Sequence, residues 1–281
     1  MAVVNEDQAE FWSSIASTWI ELDHRLEKTA GAPGRMAMDR LNPRPGQRLL
    51  DLGCGTGPTT VDLAARVRPG GSVLGVDIAE EMLMRAAERA AEHGVDNVAF
   101  RRADVQGDDL GSQQFDGAFS RFGVMFFSDP VAAFRNVRRA LRAGGRLSFA
   151  CWQNALANEW MLVPGMAVMS VTKTPPRMPA SDEPGPFSLS DPERVRSILA
   201  GAGFADITVA TRDDVLSVAD EEIADYAAVA LRVGAAREAL KDAGDAIKQQ
   251  AYLAVVDALR AKTEDGQVRL ARGVLLVTAQ A

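Results

Sequence analysis

The feature that most constrains the fold is a short apolar run that ends in three closely spaced glycines. It reads LLDLGCGTGPTT and occupies residues 49–60. Glycine removes the side chain that would hold a ligand away from the backbone, and the first turn of a following helix offers free N–H groups to an anion. Apolar residues then recur at helical spacing from Val61 to Val67. The stretch therefore predicts a strand, a ligand-binding turn and a helix.

Strand-like runs alternate with helical patterns along the first half of the chain. The runs occupy residues 47–53, 72–77, 97–104, 115–120 and 145–152. Several are almost continuously apolar, which is typical of parallel strands that helices cover on both faces. A helix over 191–204 and strands over 205–211 and 266–281 complete the pattern. We predict an α/β fold with a doubly wound, Rossmann-like sheet of seven strands, mostly parallel with an antiparallel last strand, plus a helical lid and insertions.

Three additions to this core divide the chain. Besides the N-terminal segment, the stretch 171–187 is rich in proline and reads as a long loop, and residues 219–264 carry helical spacing throughout. The predicted organisation is an N-terminal helical lid (1–42), a cofactor-binding core (43–152), a substrate-cap loop or insertion (153–190), continued core (191–212), a helical insertion (213–265) and a final core strand (266–281).

The composition limits which partners and compartments are expected. The net charge is −7 and the pI is near 5, so the chain offers no electrostatic footprint for nucleic acid. Two cysteines and two histidines are too few for a disulfide framework and make a metal site improbable. The sequence shows neither the about 20 consecutive apolar residues of a membrane span nor a secretory signal. We expect a cytoplasmic protein with no metal.

Carboxylates fall at the ends of three successive predicted strands. Asp51 lies inside the first strand just before the glycine turn, Asp77 ends the second strand and Asp104 follows the third. The glycine spacing is G-x-G-x-G, without the third glycine position of the dinucleotide fingerprint. A carboxylate beside the loop suits a ligand that carries a cation, and a carboxylate that ends the second strand can accept both hydroxyls of a ribose. The pattern predicts a nucleoside with a positively charged tail.

The sequence resembles the class I S-adenosylmethionine-dependent methyltransferases, close to the UbiE-like group that acts on small molecules. The matching stretches are LLDLGCGTG, GVDIAEEML, RRADVQ, FDGAFSRFGVMFF and LRAGGRLSFACW, in the order and at the spacing of that family. They cover roughly residues 48–152, and GPFSLSDPERVRSILAGAGF extends the similarity to about residue 204. The resemblance implies S-adenosyl-L-methionine as cofactor, with S-adenosyl-L-homocysteine as product, and leaves the acceptor open.

The resemblance also implies roles for the residues that would bind this cofactor. Gly53 and Gly55 would approach its methionine part together with the backbone around Ser120, and Asp51 would lie near its amino group. Asp77 would hold the ribose, while Asp104 would bond the adenine amino group. The full set of residues implied to contact the cofactor is Trp12, Trp19, Asp51, Gly53, Cys54, Gly55, Asp77, Ile78, Met82, Asp104, Val105 and Ser120.

The remaining candidates have a functional and a structural interpretation. His24 in the N-terminal segment is either a general base for the acceptor or a solvated helix residue. Arg121 either binds an anionic group of the substrate or forms a salt bridge. Cys54 has no histidine near it in sequence, so nucleophilic catalysis is not expected. A set of tryptophan and methionine side chains either lines an apolar acceptor cavity or belongs to the core, namely Trp152, Trp160, Met161, Met166 and Met169.

Four functional hypotheses follow. The first is methyl transfer to a small molecule, with O-methylation of an apolar, ring-bearing secondary metabolite ahead of C-methylation of a quinone or polyketide ring. The second is a nicotinamide-dependent oxidoreductase, and the third is a non-catalytic cofactor-binding partner protein. The fourth, RNA methylation, is disfavoured by the acidic charge. A homodimer is also possible, because the charge-rich residues 235–264 are either solvated or form a subunit contact.

Overall fold

The computed structural model describes residues 5–174 and 183–281. Within these ranges the helices are α1 (Glu6–Leu41), α2 (Pro58–Arg66), α3 (Glu80–Glu92), α4 (Pro130–Ala140), α5 (Glu159–Thr172), α6 (Pro192–Gly201), α7 (Ile223–Ala230), α8 (Gly234–Ala239) and α9 (Asp245–Arg260). The strands are β1 (Arg48–Leu52), β2 (Ser72–Asp77), β3 (Val98–Arg102), β4 (Phe115–Arg121), β5 (Leu141–Trp152), β6 (Ala205–Ala219), β7 (Thr263–Glu264) and β8 (Gln267–Gln280). None of the described helices is both long enough and apolar enough to span a membrane.

The chain folds into two compact units. The first contains the described residues within Met1–Trp152, Ser181–Thr211 and Leu275–Ala281. The second contains the described residues within Gln153–Ala180 and Arg212–Val274. The predicted glycine loop and all three of the predicted carboxylates belong to the first unit.

The strand order places β1 at a switch point of the sheet. The order is β3-β2-β1-β4-β5-β8-β6, and the two-residue β7 pairs with β8. β1 pairs in parallel with β2 and β4, β2 with β3, and β4 with β5. β8 ends antiparallel to the start of β5, where the Gly144 N–H donates to the Ala281 carbonyl at 3.0 Å. The predicted Rossmann-like fold is confirmed, and its ligand crevice is expected at the carboxyl ends of β1 and β4.

Local sequence explains where the crossover helices begin. α2 starts at Pro58, where the missing N–H of proline costs no hydrogen bond. α4 follows Asp129, whose carboxylate accepts the Ala132 N–H at 2.9 Å and so caps the helix. α4 ends at Ala140 and β5 begins at once at Leu141. The prediction placed this strand start at residue 145, because it assigned the two glycines at 144 and 145 to the end of the helix.

The helical insertion predicted from residue 213 begins later than expected. β6 continues to Ala219, and within it Leu216 and Val218 are buried while Val215 and Ser217 are exposed. This alternation is the signature of a half-buried strand, and it was hidden by the two aspartates before it. The helical spacing expected throughout 219–264 is also wrong, because the described residues there form three separate helices, α7 to α9, with breaks between them.

A helix occupies part of the region predicted as a substrate-cap loop or insertion. α5 runs over Glu159–Thr172, and its fully buried Val168 packs in the core of the second unit with residues of α9 such as Val255 and Leu259. Its sequence is apolar on most faces and includes Pro164, so no periodic stripe marked it. The loop was predicted over 171–187, and its residues 175–182 lie outside the described residues.

Candidate functional site

The glycine loop joins β1 to α2 at the carboxyl edge of the sheet. Gly53 and Gly55 have φ angles of 62° and 54°, in the left-handed region that most residues avoid. A Cβ on Gly53 would lie 3.0 Å from the Cα of Gly123, which follows β4. A Cβ on Gly55 would meet no atom within 4 Å. The loop therefore packs tightly against the end of β4 at Gly53 and faces open space at Gly55.

Asp51 is a fully buried carboxylate directly behind this loop. Its Oδ2 accepts hydrogen bonds from the hydroxyls of Thr59 at 2.8 Å and Thr60 at 2.7 Å. Its Oδ1 is buried and has no hydrogen-bond partner among the described residues. Burial raises the pKa of Asp51 to about 6, although both threonine hydrogen bonds and the charge of Arg121 oppose the increase. A bound cation would stabilise the charged form of this group.

Asp77 fixes the glycine loop to the end of β2. Its Oδ2 accepts the Gly55 N–H at 2.8 Å and its Oδ1 accepts the Ala79 N–H at 3.0 Å. Burial raises its pKa, and the hydrogen bonds from Ala79 and Gly55 oppose that increase. Each carboxylate oxygen can accept two hydrogen bonds, so both oxygens retain capacity for a ligand hydroxyl.

Asp104 follows β3 and presents a second buried carboxylate oxygen. The carboxylate is almost completely buried, at 4% exposure of the residue. Its Oδ1 accepts the Gln106 N–H at 3.0 Å, whereas its Oδ2 makes no hydrogen bond of ordinary length in the part of the chain that the structure describes. The backbone N–H of Asn5 lies near enough to lower the pKa of this carboxylate. Burial is the main cause of its raised pKa. Such an oxygen is suited to accept a hydrogen bond from a ligand amino group.

Two predicted site residues turn their side chains away from open space. The Ser120 hydroxyl is fully buried and donates to the Leu52 carbonyl at 2.7 Å, which leaves only the backbone of Ser120 for a ligand. The Cys54 thiol is buried as well, and burial raises its pKa well above the ordinary value. A thiol that stays protonated is a poor nucleophile, which agrees with the expectation that Cys54 is not catalytic.

Aromatic side chains of α1 pack on the segment that follows β2. Trp12 and Trp19 contact a small buried cluster that contains Ala79 and Met82. The two indole rings meet edge to face with their centroids 5.4 Å apart. The structure therefore brings the predicted α1 aromatics together with Met82 and with Ala79, which follows Ile78 in the chain. Val105, next to Asp104, is also buried.

Sequence reasoning missed a polar cluster that fastens α1 to the glycine loop. Asp23 forms an ion pair with Arg89 of α3, and the Thr56 hydroxyl donates to Asp23 at 2.9 Å. Arg89 also donates to the Thr56 carbonyl at 2.9 Å. One turn further along α1, Glu27 pairs with Arg121 at 2.6 Å. The spacing of Asp23 and Glu27 could have indicated this cluster, because residues four apart on a helix lie on the same face.

His24 and Arg121 have contrasting surroundings. His24 is exposed on α1. The side chain of Arg121 is only 16% exposed, and its ion pair with Glu27 matches the salt-bridge interpretation of this residue. Its charge also lowers the pKa of Asp51. Arg121 therefore contributes positive charge beside the glycine loop. The catalytic roles considered for both residues stay predictions.

Loss of the Asp23 carboxylate is expected to destabilise the fold. Asp23→Asn should lower the free energy of unfolding by about 1–3 kcal/mol, because Asp23 and Arg89 are 15% and 14% exposed and Arg89 would lose a charged partner. Asp39→Asn on the same helix is the control, since Asp39 is 66% exposed in its pair with Arg66 and should matter by at most about 0.5 kcal/mol. Urea unfolding of both variants measures the difference. Equal losses in the two variants would contradict the buried role of Asp23.

Comparisons with known proteins show the family to which this chain belongs. A family model described as a methyltransferase domain matches residues 43–188. Nocamycin O-methyltransferase of Saccharothrix syringae is 34% identical over 182 residues, which are 62% of this chain and 64% of that protein. The ubiquinone/menaquinone biosynthesis C-methyltransferase UbiE of Azotobacter vinelandii is 30% identical over 66% of this chain and 74% of its own length. The chain therefore belongs to the methyltransferase domain family, and the resemblance found in its sequence is confirmed.

The chain spans only part of the length of the curated relatives that it matches. The matches to nocamycin O-methyltransferase and to two other curated relatives span 64%, 53% and 50% of those proteins. The YcgJ protein of Bacillus subtilis has a solved structure that matches 89% of this chain and 97% of its own chain, with a TM-score of 0.57 and 19% identity. At that identity the likeness shows the fold alone.

Proposed function

We propose that this chain transfers the methyl group of S-adenosyl-L-methionine to a small-molecule acceptor and releases S-adenosyl-L-homocysteine. The observation that carries the proposal is the buried Oδ1 of Asp51, which has no hydrogen-bond partner among the described residues. Four residues further along the chain, a Cβ on Gly55 would meet no atom within 4 Å. A buried carboxylate oxygen without a partner is costly, and a cationic donor would remove that cost. A nucleoside with a sulfonium and an ammonium group supplies such a donor, whereas a dinucleotide pyrophosphate is repelled by the same carboxylate.

The other site residues fit the remaining parts of this cofactor. Asp77 would accept the ribose hydroxyls, and the Oδ2 of Asp104 would accept the adenine amino group. Ile78, Met82 and Val105 would provide apolar contacts to the adenine. Trp12 and Trp19 of α1 would cover the cofactor from the side of α3.

The proposed chemistry places few demands on the side chains. When bound, the cofactor supplies a methyl group on a positively charged sulfur. An acceptor atom would attack the methyl carbon in line, with the sulfur as the leaving group. The contribution of this chain is to hold the acceptor in position and to exclude water. A hydroxyl acceptor must also lose its proton, and His24 stays the proposed base for that step. Arg121 stays the proposed anchor for an anionic acceptor group, and it would exchange Glu27 for that group.

For the acceptor we propose an apolar compound that contains a ring, methylated on oxygen. Nocamycin O-methyltransferase supports methylation on oxygen, and the C-methyltransferase UbiE supports methylation on carbon. The two relatives are similarly close to this chain, at 34% and 30% identity. C-methylation of a quinone or polyketide ring is therefore the alternative. The acidic chain makes nucleic acid an improbable partner, and a homodimer stays a hypothesis.

Two measurements test the proposal. Calorimetric titration should give tighter binding of S-adenosyl-L-homocysteine than of NADH, and tighter binding of NADH would instead favour an oxidoreductase. Radiolabelled methyl transfer should then be measured with a panel of phenols, hydroxyquinones and aliphatic hydroxy acids. Cofactor binding without transfer to any of them would favour a cofactor-binding partner protein.

A further inference from the structure

Phe122 has an unusual backbone conformation at the end of β4. Its φ angle is 62°, in the left-handed region that a bulky residue rarely adopts. Its N–H nevertheless donates to the Ala150 carbonyl at 3.0 Å, so the pairing with β5 continues through the turn. Backbone strain of this kind persists only where the surroundings impose it, and it is concentrated at functional sites.

The Phe122 ring stacks on Trp152 at the end of β5. The two rings are nearly parallel, with an interplanar angle of 10° and centroids 3.7 Å apart. Aromatic pairs prefer offset or edge-on arrangements, such as the 86° contact of Trp12 with Phe126. Trp152 is only 5% exposed, whereas Phe122 is half-buried, so Phe122 is the outer ring of the pair. Strained backbone and close parallel stacking together hold one aromatic ring in a fixed position.

That position lies beside the glycine loop. The next residue, Gly123, contacts Gly53 so closely that a Cβ on Gly53 would lie 3.0 Å from its Cα. Two residues before Phe122, the Ser120 hydroxyl donates to the Leu52 carbonyl at 2.7 Å. Phe122 and Trp152 thus lie at the carboxyl ends of β4 and β5. The residues on either side of Phe122 contact β1 and the loop to which we assign the methionine part of the cofactor.

We propose that Phe122 determines acceptor specificity, and that its ring, held on Trp152, is the wall against which a planar aromatic ring of the acceptor stacks. The inference rests on the proposed function, since it needs a methyl donor bound at the glycine loop. The inference narrows the proposed acceptor from any compound with a ring to one with a planar aromatic ring. The flat face of the Phe122 ring would stack on such a ring better than on a puckered aliphatic ring of equal size.

The test uses the whole protein saturated with S-adenosyl-L-homocysteine and 2-naphthol as the probe, with decahydro-2-naphthol as its non-planar counterpart. Calorimetry should show that the wild type prefers 2-naphthol. Phe122→Ala and Phe122→Gly should each weaken 2-naphthol binding about tenfold and remove that preference. The glycine variant also relieves the left-handed backbone and is expected to be the more stable of the two, so it separates loss of the ring from loss of folding. Phe122→Tyr should retain the preference.

Phe127→Ala is the matched control, because Phe127 lies in the same segment and its ring contacts Phe134 edge-on, with centroids 5.8 Å apart. This variant should bind 2-naphthol like the wild type. Unchanged 2-naphthol affinity in Phe122→Gly, or no 2-naphthol binding by the wild type, would overturn the inference while leaving the cofactor assignment intact. Failure of the wild type to bind S-adenosyl-L-homocysteine would instead overturn the proposed function.

Discussion

Replacing Asp77 with alanine is expected to weaken the binding of S-adenosyl-L-homocysteine by about 1–3 kcal/mol, or roughly 5- to 150-fold. The loss has two sources in the structure. The ribose hydroxyls would lose a charged acceptor, and the N–H groups of Gly55 and Ala79 would lose the oxygens that orient the loop. Calorimetric titration of the variant measures the total effect.

The two sources can be separated with a second ligand. A 2′,3′-dideoxy analogue of S-adenosyl-L-homocysteine has no ribose hydroxyls for Asp77 to bind. In the wild type, removal of the hydroxyls should therefore weaken binding, whereas in Asp77→Ala the same removal should matter much less. This is a double-mutant cycle with one half of the cycle on the ligand. If replacing S-adenosyl-L-homocysteine with the analogue weakens binding equally in the variant and in the wild type, Asp77 acts only through the loop. Our placement of the ribose would then be wrong.

Asp51→Asn is expected to stabilise the ligand-free protein and to impair cofactor binding. Burial raises the pKa of Asp51 to about 6 from an ordinary value of 3.8. Below about pH 4 the carboxyl is protonated in both the folded and the unfolded state, so its ionisation does not affect stability. Between about pH 4 and pH 6 it ionises more readily in the unfolded state, which lowers the stability of the folded state. Above about pH 6 this loss of stability is constant. The difference between these two pKa values corresponds to about 3 kcal/mol. The asparagine variant avoids this cost and should be more stable than the wild type at pH 7 by about 1–3 kcal/mol.

Urea unfolding at several pH values measures this difference. The stability advantage of Asp51→Asn should be near zero at pH 4, should increase between pH 4 and 6, and should then stay constant. At pH 7 the variant should bind S-adenosyl-L-homocysteine at least about tenfold more weakly, because an amide no longer pairs with the ammonium group. 5′-Methylthioadenosine, which lacks the amino-acid tail, is the control ligand and should bind both proteins alike. A stability difference between the two proteins that does not change between pH 4 and pH 7 would show that the buried charge is not a cost.

The sequence was most informative where function depends on position along a strand. Asp51, Asp77 and Asp104 were assigned to one edge of the sheet because parallel strands bring their carboxyl ends together, and the structure places all three in the first unit at the ends of β1, β2 and β3. The glycine spacing alone was weak evidence, and it became specific because the three carboxylates accompany it.

Contacts between distant segments could not be predicted in this way. The pairing of Asp23 with Arg89 joins residues 66 positions apart and depends on where α1 lies. The strained conformation of Phe122 has no local signal, because phenylalanine is not a residue that favours a left-handed turn. α5 was missed for a different reason, namely that a helix with apolar residues on most faces shows no periodic stripe.

The contact between Gly53 and Gly123 has a consequence for the diversification of acceptors. A Cβ on Gly123 would lie 2.9 Å from the Leu52 carbonyl oxygen and 3.0 Å from the Gly53 Cα, so the segment after β4 and the glycine loop interlock without room for a side chain. Engineering or natural selection can therefore alter the acceptor wall at Phe122 without touching the methyl-donor loop, but a substitution one residue later disturbs both. Chimeras with new acceptor specificity should exchange the side chain at position 122 and keep the glycine at 123.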